Sequence, residues 1–192
     1  SVPYALSSML ILAILLFASC NQSTDKPSYV IVIHGGAGTI KKENMTAEKE
    51  QQVIAKLDEA LQAGKAILEN GGQGLDAIEA AIKVMEDSPL FNAGKGSVFN
   101  ELGQNEMDAS IMNGRDLNAG AITGVRHIKN PITAARAVME QSKHVMLTGS
   151  GAEKFAESVG IELVDTSYFW TERRWNSYQS AKRKAQSTKR RN

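Results

Sequence analysis

Read only as apolar against polar positions, the chain falls into unlike stretches. Residues 9–18, MLILAILLFA, form an unbroken apolar run, and polar residues follow as far as Ser28. Tyr29-Val-Ile-Val-Ile33 is then a short, continuous, β-branched run, which predicts a strand covered on both faces. From Thr46 the period becomes helical. Val53, Leu57, Ala60 with Leu61, Gly64, and Ile67 with Leu68 recur at that spacing, Thr46 can cap the start, and Gly71-Gly72 can stop it. A second helix is predicted over residues 75–85, with Leu75, Ile78, Ile82 and Met85 on one face and the small Ala77, Ala80 and Ala81 on another. Two successive helices after a strand argue against a simple alternating βαβ chain.

Residues 97–100 and 107–112 read as two strands around Glu101-Leu-Gly-Gln104, a hairpin. Residues 120–125 form another strand, rich in small residues. Asn130-Pro131 predicts a helix start with Ile132, Ala135, Val138 and Met139 inward. Residues 144–148 read as a strand and 152–159 as a short helix ended by Gly160. Beyond Trp170 no apolar period survives, so residues 173–192 are expected to be a flexible basic linker. The order of elements places residues 29–172 in the α+β class, with no internal repeat.

Charge sharpens the division. Eight of the 22 Lys and Arg residues follow Trp170, against only Glu172 of the 21 acids. The body is therefore acidic and the tail basic, as for a tail physically separate from the fold. That tail lacks interleaved aromatics on an ordered surface, so the expectation is a solvated run and no nucleic acid.

Cys20 is the sole cysteine, which excludes an internal disulfide. It directly follows the apolar run through Phe17-Ala18-Ser19. A run of that length is short for a membrane span and right for a signal-peptide core. Residues 1–20 thus resemble a bacterial lipoprotein signal with Cys20 as the lipid-bearing residue, and 21–28 form a linker. Phe17 in place of the usual Leu and the lack of a basic leading segment depart from that pattern. The implied location is the cell envelope, periplasmic or membrane-anchored.

Residue chemistry alone supplies a framework without a reactive centre. His34-Gly-Gly-Ala-Gly38 lacks the lysine and hydroxyl of a phosphate-binding loop. His34, His127 and His144 have no metal-ligand spacing, and structural or surface roles are expected for them. No Gly-x-Ser-x-Gly elbow is present. Asp108, beside Ser110, is expected to be a hydrogen-bonded structural group.

Three stretches nevertheless carry a specific resemblance: VIVIHGGAG, LDAIEAAIKVMEDSPLFNAGKGSVFNELGQNEMDASIMNGRDLNAGAITGV and NPITAARAVMEQSKHVMLTGSGAEKFA. They resemble the α-subunit of plant-type L-asparaginases, also called isoaspartyl peptidases, which are N-terminal-nucleophile hydrolases. The resemblance covers roughly residues 30–172. Glycosylasparaginases are similar, less closely.

The resemblance implies a four-layer αββα sandwich made as one precursor that cleaves itself before a threonine. The α- and β-chains then stay associated, as αβ units that pair into a dimer. The new N-terminal threonine is the nucleophile, with its own amino group as base. Asparagine or a β-aspartyl dipeptide is the small-molecule substrate. Gly-Thr-Val-Gly, the usual cleavage motif, does not occur in these 192 residues. No catalytic residue is therefore expected in this chain, and the nucleophile is expected just downstream on the β-chain. A gene product stopping at Asn192 would be inert, a non-catalytic envelope lipoprotein that keeps the scaffold.

The resemblance further implies no organic cofactor and a structural sodium ion. Main-chain carbonyls of Met85, Glu86, Ser88, Phe91, Ala93 and Lys95 would hold it, as suits a hard cation. Lys95 stands where an apolar residue is common, so its charge must point away from the ion. Asn92 matches an asparagine beside the nucleophile. His34, Gly35 and Gly36 match a segment near the site, with a positional role.

Overall fold

The computed structural model describes residues 29–36 and 45–189. The leader, Cys20, the 21–28 linker, Ala37, Gly38 and residues 190–192 lie outside the described residues. Ile31–Asn192 form one compact unit.

Helix α1 spans Ala47–Glu69, and the Thr46 side chain accepts the Lys49 amide at 3.2 Å. That satisfies one of the orphan donors of the first turn. Gly71, at φ 76, ends it in a left-handed turn. Helix α2 spans Gly74–Glu86 and packs on α1. Their approach is close because Gly64 has no side chain: a Cβ there would meet the Ala77 carbonyl at 2.9 Å and Ile31 Cδ1 at 2.5 Å.

The sheet has strand order β1 (Met107–Met112), β2 (Ala119–Val125), β3 (Met146–Thr148), with the first pair antiparallel and the second parallel. Helix α3, Pro131–Gln141, lies on one face and reaches its closest approach at Gly120, which abuts the Ala135 carbonyl. Helix α4 spans Gly149–Ser158. Ile111, Ile122, Val125, Ile132, Val138, Ala156 and Phe169 fill the core between these layers. Along β1 the alternation is plain: Met107 and Ile111 are buried, whereas Asp108, Ser110 and Met112 face out. Met112 and Met146 remain 56% and 58% exposed, so the sheet's outer side carries apolar surface that none of the described residues covers.

The structure corrects the sequence reading in three places. The run at 29–33 joins no strand among the described residues, and Val32 is 84% exposed. A continuous apolar run cannot by itself distinguish one covered face from two. Residues 97–100 do not pair with 107–112 as a hairpin. Gly94–Gly96 is a 3₁₀ turn, Phe99 forms a single bridge to Asn105, and β1 pairs with β2 instead. Third, the expected flexible linker is helical: α5 spans Glu172–Lys189. Trp175 and Tyr178, three apart, present rings to Phe99 at 5.3 and 5.9 Å between centroids, a pair too short to register as an apolar period.

Candidate active site

The segment that closes α2 builds the site. Its Met85 carbonyl accepts the amides of Asp87 and Ser88, which tightens the last turn before Pro89 redirects the chain. Glu86, only 4% exposed, points under the loop and accepts the Ile132 amide through Oε1 at 3.0 Å. That amide belongs to the first turn of α3, where an anchored acceptor is needed. Burial pushes the Glu86 carboxyl up to about 8, against the hydrogen bond from Ile132. Near pH 7 burial therefore favours the protonated, neutral form. Among the described residues neither Glu86 Oε2 nor the buried Ser97 Oγ has a hydrogen-bond partner.

Two glycines let this loop fold back on itself. A Cβ on Gly94, at φ 47, would overlap the Glu86 carbonyl, and one on Gly96 would overlap the Phe91 carbonyl. Both carbonyls consequently face small-residue space inside the loop. Among the described backbone donors the Ala93 carbonyl accepts just the Gly96 amide, at 3.0 Å, which leaves it a lone pair. The Lys95 ammonium sits 5.3 Å from the Tyr168 ring centroid. The Glu86, Phe91 and Ala93 carbonyls give this turn oxygen donors of the kind that suit a hard monovalent cation.

Asn92 stands at the rim. Its Oδ1 accepts the Val98 amide at 2.9 Å, which orients the side chain and leaves the Nδ2 group as a donor. Asn105 secures the adjoining strand of chain by donating to the carbonyls of Ser97 at 3.0 Å and Val98 at 3.2 Å. Asp108 lies at the β1 bulge, and its Oδ1 accepts the Thr123 hydroxyl at 2.6 Å and the Gly124 amide at 2.8 Å. Together Glu86, Asn92, Ser97, Glu106 and Asp108 line a cavity of about 290 Å³. It is polar, and two of its buried groups lack partners, the mark of a place built to receive another polar group.

His34 and its glycines reach this loop from the other side. Gly35 lies flush on Leu57 and on Phe91, where a Cβ would come 3.2 Å from Leu57 Cδ2 and 3.5 Å from Phe91 Cε1. The His34 ring accepts the Gly36 amide through Nδ1 at 3.2 Å, and the side chain is exposed. The fold thus brings Gly35 against the Met85–Lys95 loop, while His34 keeps to its own turn. His127 is elsewhere, 3.0 Å from Glu153, whose carboxylate also accepts the Arg126 and His127 amides. Among the described residues, no group of three His, Cys, Asp or Glu side chains could hold a metal ion.

Sequence reasoning missed the buried Glu86 side chain and the two arginines that follow Thr171. Arg173 Nη2 donates to the Pro89 carbonyl at 2.6 Å and the Leu90 carbonyl at 3.3 Å, and Arg174 Nε donates to the Gly96 carbonyl at 2.6 Å. Their only sequence signal was adjacency to Trp175 in a stretch read as solvated.

Residues 27–192 match the family described as Asparaginase. Over 154 residues the chain is 44% identical to the isoaspartyl peptidase of Escherichia coli, covering 80% of this chain and 48% of that protein. It is 49% identical over 146 residues to the isoaspartyl peptidase/L-asparaginase of Mus musculus, covering 76% and 44%. It is also 49% identical over 154 residues to the plant-type L-asparaginase of Pyrococcus abyssi, covering 80% and 48%. The chain spans about half the length of the curated relatives it matches.

Proposed function

The chain belongs to the asparaginase family, and from that premise we propose that it is the α-portion of a hydrolase of β-aspartyl dipeptides and of the asparagine side-chain amide. The observation that carries the reading is Asn92, set at the rim of a polar cavity with its amide nitrogen available as a donor. In this reading the nucleophile is an N-terminal threonine of a β-chain cut from the same precursor. Its hydroxyl attacks the substrate amide carbon while its own amino group takes the proton and passes it to the departing nitrogen; the C–N bond breaks, ammonia or the amino acid leaves, and water then hydrolyses the β-acyl-enzyme. Asn92 contributes a neutral donor, suited to a threonine hydroxyl or a developing oxyanion without the cost of burying a second charge.

The exposed side of the sheet supports the same reading. Met112 and Met146 leave it apolar, as the inner face of a four-layer αββα sandwich would be before the second sheet covers it. The αβ units would then pair into a dimer. Sodium bound by main-chain carbonyls of Met85, Glu86, Ser88, Phe91, Ala93 and Lys95 would fix the loop, supplying rigidity and no reaction step. Cys20 after its apolar run is the proposed lipid anchor, and in this reading the protein would belong to a bacterial envelope. No helix among the described residues is long and apolar enough to cross a membrane.

The test is to express the chain together with its natural downstream sequence and assay β-aspartyl dipeptides, asparagine and glycosylated asparagine. Release of aspartate from the first two supports the reading. Turnover of the glycosylated substrate alone would move the protein to the glycosylasparaginases.

A further inference from the structure

Helix α5 meets the site loop at both of its ends. Arg173 holds the carbonyls of Pro89 and Leu90, which precede Asn92, and Arg174 holds that of Gly96, which follows it. Adjacent residues of one helix therefore grip both flanks of a single loop. The seat continues along the chain. Trp175 and Tyr178 pack on Phe99, and the Tyr178 hydroxyl donates to the Glu101 carbonyl at 3.2 Å. Gly103 lets that ring approach, since a Cβ there would lie 3.3 Å from the Tyr178 oxygen. From residue 181 onward the helix is exposed as far as residue 188.

We propose that Arg173 and Arg174 are positioning residues, a strap that fixes the loop around Asn92 by holding its outward carbonyls. Loop carbonyls of this kind have no ladder to join, and water would otherwise satisfy them with no fixed geometry. A guanidinium offers several donors in one plane and can hold two carbonyls at once, which a lysine cannot reproduce. The two arginines also stay together against their mutual repulsion. Burial, then Arg173, lowers the Arg174 pKa, and Lys49 is lowered by burial and then by both arginines. Carbonyl dipoles aimed at the guanidinium groups offset that repulsion. The strap ties the stretch that resembles the pre-cleavage linker to the loop that carries Asn92. Its consequence for turnover rests on the preceding reading, whereas its effect on the loop does not.

The experiment is amide hydrogen exchange on the full chain, comparing wild type with Arg173→Gln, Arg174→Gln and Arg174→Lys. Arg173 is exposed, so its replacement leaves the fold intact. Exchange at Gly96, Ser97 and Val98 is expected to rise roughly tenfold in both glutamine variants, with Ala121 and Ile122 unchanged. Arg174→Lys is expected to recover only part of the protection. Unchanged loop exchange, full recovery by lysine, or an equal rise throughout β2 would each overturn the strap. A wild-type chain that never cleaves or turns over, yet whose loop loosens in the variants, would support the strap and contradict the proposed function.

Discussion

The side-chain oxygen of Asn92 accepts the Val98 amide at 2.9 Å, so half of this residue is committed to shaping the loop and half is left for chemistry. The two halves can be separated by substitution. Asn92→Asp keeps the acceptor and loses the donor; Asn92→Ala loses both. Both variants should lose roughly 10²-fold in maturation or turnover, a magnitude typical of a deleted oxyanion-type donor. Only the alanine variant should also lower the unfolding midpoint. Single-turnover kinetics and thermal denaturation of the two, side by side, check the split.

Glu86 anchors α3 to the loop through the Ile132 amide at 3.0 Å. Glu86→Gln retains a neutral acceptor of the same shape and should be tolerated within about 1 kcal/mol. Glu86→Ala strands a buried amide beside a void and should cost about 2–4 kcal/mol. Urea denaturation at one fixed pH measures both.

Gly94 and Gly96 have no room for a methyl group, because it would overlap the carbonyls of Glu86 and Phe91. Alanine at either position should destabilise by roughly 3 kcal/mol or more, while alanine at the open Gly151 should cost no more than a few tenths. Chemical denaturation distinguishes these outcomes.

Glu153 makes the stability of the fold depend on pH. Burial works against its ionised form, but hydrogen bonds from Arg126 and His127 prevail and hold the carboxyl below the ordinary range. A carboxylate lowered in the folded state contributes stability above its unfolded pKa, and that contribution is lost as pH falls through the folded value. Wild type should therefore be more stable than Glu153→Gln near pH 7, with the gap closing on acidification through the carboxylate range. Denaturation of both proteins from pH 3 to pH 8 checks the sign; a gap that widens on acidification would contradict it.

Much of this fold was legible because its signals are local. Thr46 and Gly71 mark the ends of α1, and Asn130-Pro131 marks the start of α3, by chemistry that acts within one turn. The expectations for the Met85–Lys95 loop and for Asn92 rest on the family resemblance, not on periodicity. What stayed hidden depends on partners distant in sequence. Phe99 reads as a strand residue until Trp175 and Tyr178 are seen against it. Arg173 reads as one more tail cation until Pro89 lies 2.6 Å away. The buried Glu86 side chain was equally invisible, since its acceptor role is defined by Ile132, 46 residues on.

The most direct measurement is intact mass and N-terminal sequencing of the protein expressed with its natural downstream sequence, paired with a β-aspartyl dipeptide assay. Two tightly associated fragments, the second beginning with threonine, should appear as activity appears. An uncut chain that hydrolyses the dipeptide at full rate would contradict the account.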